Sequence, residues 1–308
     1  MLTTNLPGNT RYISTMKLQA ELLIESEYLL GEGPVWDADN NYLYWVNILA
    51  GDVHRLSVTT GVHSTFNVGQ LAGTIVLREG GGLVAAMHHG FYFVDFDNRT
   101  LQFITNPEAQ LPGNRFNDGK CDAAGRLWAG TMPIDEKNPD GSLYMLDTNL
   151  STSLKVPQVT ISNGIAWNSD NTVMYYIDTP TRHIVAYDFD VQTGNISNKR
   201  IAVDVTHERG YPDGMTIDTN GMLWVAYYGG WEVIQYNPLT GEALQRIEIP
   251  VANATCCTFG GPEMNDLYIT TARKELTPEE LAGQPLAGSV FVVRNMAVQG
   301  VKPYKFNG

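Results

Sequence analysis

The sequence contains little cysteine and no long apolar run. Its three cysteines, Cys121 and the adjacent Cys256 and Cys257, are too few for the disulfide framework of a small secreted domain. No apolar run approaches the roughly 20 residues that a membrane-spanning helix requires. The polar stretch from Met1 to Thr15 also lacks the apolar core of a signal peptide. We therefore expect reduced thiols, a cytoplasmic location and no membrane partner.

Basic residues are scarce as well. The chain has 20 lysines and arginines against 33 aspartates and glutamates, which gives a net charge of −13. No basic stripe is available to neutralise phosphates, and this argues against a nucleic-acid partner. With 308 residues, 43% of them hydrophobic, the chain has an ordinary globular composition. Its length suits one large all-β domain or two smaller domains.

Helical patterning is also rare, and only residues 277–282 resemble a short helical turn. Short β-branched and aromatic runs between Gly, Asn and Asp turns dominate instead. Six of these runs are related, since each is an apolar strand that follows such a turn. They are Tyr42–Val46, Gly82–Ala86, Arg126–Gly130, Val173–Ile177, Met222–Ala226 and Asp266–Thr270.

The second residues of these six runs recur at spacings of 40, 44, 47, 49 and 44 residues. A period in the forties is typical of a β-propeller blade. The sequence therefore predicts an all-β, six-bladed β-propeller with four antiparallel strands per blade. A long β-sandwich or two barrels would be the alternative architectures, and the regular spacing counts against both.

The last repeat lacks an outer strand of its own. The alternating segment Lys17–Ser26 is expected to supply it, because an open ring would expose a sheet edge. We expect residues 17–308 to form a single propeller domain. Residues 1–16 are expected to be a flexible N-terminal extension.

The repeat also predicts which residues share one level around the central channel. The residues that enter the innermost strands precede the register positions by 9 to 11 residues. A single Asp-Gly or Asn-Gly pair indicates only a turn, but oxygen side chains recurring at one topological position would surround one channel mouth. Such a ring favours a hard divalent cation, Ca²⁺, Mg²⁺ or Mn²⁺, over Zn²⁺ or Fe²⁺. The positions are Glu32, Ala72, Asp118, Asn163, Asp213 and Cys256, with Asn117 as an alternative in blade 3.

Two insertions are expected to flank the same channel mouth. They occupy the loops between the second and third strands of blades 3 and 6, Pro133–Pro139 and Arg273–Leu286. Asp135, Glu136 and Arg273 in these loops are candidates for substrate contact. Charged loop residues are also often simply solvated, so this alternative stays open.

Four motifs around these positions resemble the signatures of one family. They are Gly31–Trp36 (GEGPVW), Asn114–Lys120 (NRFNDGK), Ser162–Trp167 (SNGIAW) and Pro212–Met215 (PDGM). In this order they resemble the SMP-30/gluconolactonase/regucalcin family, and the resemblance extends over residues 18–304. Members of that family are six-bladed propellers that bind one divalent cation and commonly hydrolyse sugar lactones. The resemblance implies the same fold and chemistry for this chain.

Carried over motif by motif, the resemblance implies that Glu32, Asn163 and Asp213 are the metal ligands. It also implies that Asn117 lies beside the metal and contacts substrate. Arg115, by the same resemblance, would bind the sugar hydroxyls.

A further substrate contact follows from the resemblance with one departure. Animal members carry a substrate-contacting glutamate shortly after an Ala-Gly-Thr-Met sequence. Here the corresponding Ala129–Met132 leads to Asp135 at that place. The shorter carboxylate implies a shifted or different sugar contact.

The function that these expectations favour is hydrolysis of an aldonolactone, such as gluconolactone or a pentonolactone, to its aldonic acid by a monomer or weak dimer. The cation would polarise the lactone carbonyl, and Asp213 would act as general base. Calcium is the first expectation for the cation, with zinc, manganese, magnesium and iron as alternatives. Two other functions remain open: hydrolysis of phosphotriesters or aryl esters on the same cation, and a non-enzymatic calcium-binding regulatory role.

Overall fold

A computed structural model describes residues 18–308 of the chain. The predicted N-terminal extension, residues 1–16, lies outside the described residues. Within them, 24 strands form six sheets, and each sheet contains four antiparallel strands. The sheets are the six blades of a β-propeller, which confirms the predicted fold class.

The first strand, β1 (Glu21–Ile24), is separated in the fold from the strands that follow it in sequence. Blades 1 to 5 are each built from four consecutive strands that pair in chain order. The strands of blades 1 and 2 are β2 (Gly31–Asp37), β3 (Tyr42–Asn47), β4 (Asp52–Ser57), β5 (His63–Asn67), β6 (Ala72–Leu77), β7 (Leu83–Met87), β8 (Gly90–Asp95) and β9 (Thr100–Thr105). Those of blades 3 to 5 are β10 (Asn114–Cys121), β11 (Leu127–Pro133), β12 (Gly141–Leu146), β13 (Thr152–Val159), β14 (Ser162–Trp167), β15 (Val173–Asp178), β16 (His183–Asp190), β17 (Asn195–Asp204), β18 (Tyr211–Ile217), β19 (Leu223–Tyr228), β20 (Glu232–Tyr236) and β21 (Ala243–Glu248).

Blade 6 joins the two ends of the described chain. It contains β22 (Ala254–Gly260), β23 (Asp266–Thr271) and β24 (Val290–Val293), and β1 pairs with β24 as the outer strand. Glu21 lies opposite Val292, and Leu22 lies opposite Phe291. The prediction that an N-terminal strand completes the last blade is therefore confirmed.

The innermost strands form a closed ring. Strand β2 contacts β6 and β22, and the intervening contacts run from β6 through β10, β14 and β18 to β22. Each of the six predicted runs is the second strand of its blade. The helical turn predicted at residues 277–282 is the helix α1 (Pro278–Gly283), which lies in the loop after β23. Among the described residues, no helix has the length and apolar character needed to cross a bilayer.

The hairpins between first and second strands are stabilised by a recurring aspartate. In blade 3, Asp122 Oδ1 accepts a hydrogen bond from the backbone N–H of Arg126, and its Oδ2 accepts one from Trp128 Nε1 at 2.8 Å. In blade 5, Asp218 Oδ2 accepts the equivalent bond from Trp224 Nε1 at 2.9 Å. These bonds satisfy buried donors and connect each turn to an aromatic side chain of the core.

Aromatic pairs join neighbouring blades. Three such pairs have ring centroids 5.7–6.0 Å apart, a separation at which aromatic rings attract one another beyond the burial of apolar area. The pairs are Trp36–Tyr268, Trp128–Trp167 and Trp224–Phe259.

The C-terminal segment crosses the lower face of the ring, where the innermost strands end. The backbone N–H of Val301 donates to Ile217 O at the end of β18, and that of Phe306 donates to Leu77 O at the end of β6. The Phe306 side chain is fully buried in the core between blades 2 and 3. The segment therefore closes the lower end of the channel and links distant blades.

Replacing Phe306 with alanine should lower the free energy of unfolding by about 3–5 kcal/mol, because it leaves a cavity in this core. Denaturant unfolding of Phe306→Ala measures the loss. Leu239, with 86% of its surface exposed, offers the control, since Leu239→Ala should change stability by less than about 0.5 kcal/mol. Equal losses in the two variants would contradict an anchoring role for the C-terminal segment.

A histidine pair joins the two outer strands of blade 1, with His54 on β4 and His63 on β5. His54 is 3% exposed, stacks on Trp45, and its Nδ1 lies 3.1 Å from His63 Nε2 and 2.9 Å from Thr65 Oγ1. Burial, together with the neighbouring His63, lowers the pKa of His54 to about 3. The imidazole is therefore neutral in the folded protein throughout the neutral and mildly acidic range.

The unfolded chain binds a proton at His54 below about pH 6.5, whereas the folded chain does not, so stability should fall as the pH falls from 6.5. We expect wild type to lose about 1–2 kcal/mol more than His54→Phe between pH 7 and pH 5. Denaturant unfolding at both pH values gives this difference. His89→Phe, at an exposed position, should follow wild type, and a parallel loss in wild type and His54→Phe would argue against a neutral buried imidazole.

Candidate functional site

Every innermost strand is interrupted by a β-bulge near its upper end. A bulge places two residues opposite one on the neighbouring strand and so redirects side chains. Because the six interruptions lie at one level, they surround the upper part of the channel. The register shifts fall between Glu32 and Val35, Ala72 and Thr74, Phe116 and Gly119, Asn163 and Ile165, Pro212 and Met215, and Ala254 and Cys256.

The bulges bring four predicted site residues into one pocket of about 310 Å³ at the upper mouth. Glu32, Asn117, Asn163 and Asp213 line it, and each is only 3–6% exposed. Arg115 lines the same pocket and is 4% exposed. These five residues come from blades 1, 3, 4 and 5, so the ring geometry brings them together.

Two other residues of the predicted ring lie elsewhere. Asp118 and Cys256 line a smaller cavity of about 70 Å³ lower in the channel, next to Lys120 and the C-terminal residues 301–304. Asp118 Oδ1 accepts the Gly119 N–H at 2.7 Å, and Oδ2 is buried without a hydrogen bond among the described residues. The bulge thus directs Asn117 to the upper pocket and Asp118 to the lower cavity.

The amide of Asn163 is oriented by its neighbours. Its Nδ2 donates to Thr179 Oγ1 at 2.7 Å, and Thr179 Oγ1 in turn donates to Pro212 O at 2.9 Å. Asn163 Oδ1 accepts a hydrogen bond from Asn117 Nδ2 at 2.9 Å. An amide oxygen has two lone pairs, so Asn163 Oδ1 retains the capacity to bind a second partner in the pocket.

Arg115 is a buried cation in the wall of the pocket. Its Nη1 donates to Asn117 Oδ1 at 2.6 Å and to Phe116 O at 3.0 Å. Burial lowers the pKa of Arg115, and the nearby charges of Glu136, Glu32 and Asp213 oppose that effect. A guanidinium has five N–H donors, so Arg115 can also donate to a ligand hydroxyl or carbonyl.

Glu32 and Asp213 place two carboxyl groups in the same pocket, close enough for each to affect the pKa of the other. Glu32 Oε2 also accepts the Gly33 N–H at 2.7 Å. Burial raises the pKa of Glu32, and the charge of Asp118 adds to this. Burial and the adjacent Glu32 likewise raise the pKa of Asp213 well above its usual range. Two buried carboxylates this close to one another are stabilised when they share a proton or a cation.

The donor set fits a hard divalent cation. It consists of carboxylate oxygens from Glu32 and Asp213 and the amide oxygen of Asn163, the ligand types that Ca²⁺ and Mg²⁺ prefer. Among residues 18–308, no group of three or more His, Cys, Asp or Glu side chains is arranged to hold a metal ion. A cation here would therefore depend on the amide oxygen as well as on the two carboxylates.

Both predicted insertion loops reach the pocket. Of the three loop candidates, only Glu136 lines it. The Asp135 side chain is 56% exposed and lies 3.6 Å from Lys137, outside the pocket. Its neighbour Glu136 lines the pocket, with Oε1 2.6 Å from Lys274 Nζ of the blade-6 loop. The structure thus places Glu136 in the pocket and Asp135 outside it, because the loop turns the Asp135 side chain outward.

Arg273, the other loop candidate, also lies outside the set of pocket residues, and its guanidinium pairs with Glu27 at 2.7 Å. The next residue, Lys274, lines the pocket instead. The length of the blade-6 insertion is visible in the sequence and locates this side of the pocket. Loop residues follow no periodic pattern, however, so the sequence cannot tell which of Arg273 and Lys274 faces the pocket.

The remaining wall of the pocket is largely apolar. It includes Leu30, Met132, Ile161, Tyr211 and Tyr228. An apolar wall opposite a few polar groups is typical of a small-molecule site, where the polar groups set the orientation of the ligand. The pocket can thus contact both the C–H face and the hydroxyl groups of a small polar ring.

Comparison with known proteins gives consistent results. The profile of the SMP-30/Gluconolactonase/LRE-like region matches residues 30–273. Regucalcin of Danio rerio is 40% identical over 293 residues, which are 94% of this chain and 99% of that protein. A protein of Bacillus subtilis named as a candidate sugar lactone lactonase is 38% identical over 291 residues, 94% of this chain and 99% of that protein.

A solved structure shares the architecture. The calcium-binding protein regucalcin from Agrobacterium tumefaciens superimposes with a TM-score of 0.90 at 27% sequence identity. The match covers 94% of this chain and 98% of that one.

The proximity of Glu32 and Asp213 predicts that wild type is less stable than Glu32→Gln without a cation and more stable with Ca²⁺. Because the pKa values of both carboxyls are raised in the folded state, the cation-free protein should lose stability as the pH rises above about 4.5. With a chelator at pH 8, Glu32→Gln should therefore be more stable than wild type by about 1 kcal/mol or more. Added Ca²⁺ should stabilise wild type more than the variant and reverse the order.

Thermal unfolding with chelator and with Ca²⁺ measures this inversion. Glu263→Gln, at an exposed position, should follow wild type in both conditions. A Glu32→Gln variant that gains as much from Ca²⁺ as wild type does would show that the cation binds elsewhere.

Proposed function

The chain belongs to the SMP-30/gluconolactonase/LRE-like family, and from this we propose that it hydrolyses a sugar lactone to its aldonic acid with the help of one divalent cation. The substrate would be an aldonolactone, such as gluconolactone or a pentonolactone. The observation that supports this most is the upper pocket, where Glu32, Asn163 and Asp213 lie beside Asn117 and Arg115.

In this proposal Glu32, Asn163 and Asp213 hold the cation. When bound, the cation would act as a Lewis acid that makes the lactone carbonyl more electrophilic and stabilises its developing negative charge. The all-oxygen donor set favours calcium, while zinc, manganese, magnesium and iron are the other candidates. The structural neighbour from Agrobacterium tumefaciens is a calcium-binding protein, which agrees with calcium as the first candidate.

Asp213 is the proposed general base. Its carboxylate would accept a proton from the attacking water and could return that proton to the ring oxygen when the acyl–oxygen bond breaks. This transfer balances the reaction, because one water is added and one hydroxy acid is formed. The aldonic acid then releases a proton at neutral pH, which provides an assay.

Asn117 and Arg115 would orient the substrate. Their mutual hydrogen bond of 2.6 Å and their burial give both side chains a defined position before substrate arrives, so little ordering is left to the bound state. The remaining donors of Arg115 can bind ring hydroxyls. Glu136, in the blade-3 loop above Arg115, also lines the pocket and can accept a hydrogen bond from another hydroxyl.

A non-enzymatic calcium-binding role is the second candidate, because several relatives carry the name regucalcin. The buried Arg115 and the partly apolar pocket favour catalysis, since a cation that only stabilises the fold needs no open pocket above it. Phosphotriester or aryl-ester hydrolysis on the same cation would be a side activity. Turnover of a phosphotriester and a sugar lactone, measured side by side, separates these two enzymatic functions.

Asp213→Asn should reduce lactone turnover by a factor of roughly 10²–10⁴, because it removes the proposed base and one ligand charge. Proton release in weakly buffered solution measures the rate, with Ca²⁺ at saturation and again after chelation, which should abolish turnover in wild type. Asp97→Asn is the control, because the Asp97 side chain is 75% exposed and lies outside the pocket, so turnover should stay close to that of wild type.

The outcomes separate the candidates. Full turnover by Asp213→Asn would contradict its role as base. A wild-type protein that gains thermal stability from Ca²⁺ but hydrolyses no lactone would favour the calcium-binding role instead.

A further inference from the structure

The two insertion loops meet across the mouth of the pocket. Glu136 lies in the loop after β11 of blade 3, and Lys274 lies in the loop after β23 of blade 6. Their Oε1 and Nζ atoms are 2.6 Å apart although 138 residues separate them in sequence. Blades 3 and 6 are opposite one another in a ring of six, so this ion pair spans the pocket.

The backbone of Lys274 is held from several directions. Its N–H donates to Leu29 O at 2.9 Å. Its carbonyl oxygen accepts hydrogen bonds from Tyr228 Oη at 2.7 Å and from Asn253 Nδ2 at 3.1 Å. Lys274 is therefore a well-positioned cation at the rim, and its side chain is only 25% exposed.

Glu136 is less constrained by its own loop. Its backbone has φ of +59°, a left-handed conformation that non-glycine residues seldom adopt. Its N–H donates to Pro133 O at 3.1 Å, within the same turn, and most residues from 134 to 140 are exposed. The ion pair with Lys274 is thus the contact that connects Glu136 to the opposite side of the pocket.

Lys274 is poorly suited to bind an anionic substrate directly. Its Nζ already lies 2.6 Å from Glu136 and 3.1 Å from Glu275, and two carboxylates neutralise one ammonium. The contact with Glu275 is the weaker of the two, because that side chain is 58% exposed and screened by water. The shorter of its two ion pairs, with Glu136, is the one that lies inside the pocket.

Glu136 lies where a change in its orientation would affect a bound ligand. Its carboxylate lines the pocket and lies within electrostatic reach of the buried Arg115. Lys274 engages Oε1, and the second oxygen, Oε2, can accept a hydrogen bond from a hydroxyl in the pocket. A neutral ring without hydroxyl groups would gain nothing from this carboxylate.

We propose that Lys274 is a positioning residue that holds the Glu136 carboxylate over the pocket, so that the site selects polyhydroxylated lactones over unsubstituted ones. The proposal rests on the proposed function for its substrate class. A hydrogen bond between a hydroxyl and a charged carboxylate contributes a factor of roughly ten to a hundred to binding. Loss of Lys274 should weaken binding of a sugar lactone by much of this factor. Binding of δ-valerolactone, which has no hydroxyl groups, should not change.

Steady-state kinetics of Lys274→Met tests the selectivity. We expect KM for glucono-δ-lactone to rise roughly tenfold while kcat changes little, and both constants for δ-valerolactone to stay as in wild type. Lys274→Arg should restore much of the lost affinity, because it keeps the charge. Lys137→Met is the matched control, since Lys137 is 75% exposed in the same loop and pairs only with Asp135 among the described acidic residues.

A double variant tests whether Lys274 acts through Glu136. Glu136→Gln should raise KM for the sugar lactone as Lys274→Met does, and the combination should be no worse than either single change. Additive effects would show that Lys274 acts without Glu136 and would overturn the proposal. An equal rise in KM for δ-valerolactone would overturn it as well, because a general disturbance of the site would then explain the result.

Two readouts do not depend on hydrolysis. Trypsin should cleave after Lys137 several-fold faster in Lys274→Met than in wild type or Lys274→Arg, because the blade-3 loop loses its contact across the mouth. Calorimetric binding of D-glucose, a hydroxylated ring without a lactone carbonyl, should weaken by a similar factor as KM rises. Unchanged cleavage together with unchanged glucose binding would overturn the proposal.

These readouts keep the two proposals separate. If wild type hydrolyses no lactone but Lys274→Met still weakens glucose binding, the proposed hydrolysis fails and the positioning role stands. If Lys274→Met does not fold, Lys274→Gln replaces it, since the shorter polar side chain also removes the charge.

Discussion

Six innermost strands must pass side by side around one axis. Their close approach limits which side chains can point into the channel. At Gly73 a β-carbon would lie 2.4 Å from Phe116 O, and at Gly214 it would lie 2.2 Å from Cys256 Sγ, so no larger side chain fits at either position without displacing its neighbour. The bulges at the same level turn the remaining side chains into the channel. The proximity of Glu32 and Asp213 is a consequence of this convergence, and it creates a need for positive charge at one point of an otherwise acidic protein.

The fold was predictable because a propeller repeats its hydrophobic pattern six times. A second strand that is buried on both faces, such as Val173–Ile177 in blade 4, reads as a continuous apolar run and is easily located. Outer strands are harder to delimit. In blade 4 most residues of the outer strand β17 are exposed and carry little alternation, so neither of its ends is marked in the sequence. Burial on both faces thus determines which strands the sequence reveals.

The site residues that occupy equivalent positions of the repeat could be predicted from the sequence, and those in the loops could not. Glu32, Asn163 and Asp213 enter innermost strands at equivalent positions, and the structure gathers them in one pocket, while their role as metal ligands stays a prediction. A bulge, however, doubles one position, and sequence spacing cannot tell which residue of the pair Asn117–Asp118 faces upward. That Glu136 and not Asp135 lines the pocket was unpredictable for a different reason. Loop side chains obey no period, and the residue that orients Glu136, Lys274, lies in another blade.

The pairing of β1 with β24 has a consequence for how the chain is made. Ile24 leaves the ribosome before its partner Val290, which is 266 residues behind it. At roughly 5–20 residues per second, the first strand waits on the order of 10–50 seconds before its neighbour exists. Throughout that interval the residues of β1 lack their partner strand, and unpaired strand segments readily pair with other chains. The polar residues Glu21 and Glu25 on and beside β1 give the waiting strand a charge that discourages premature association during translation.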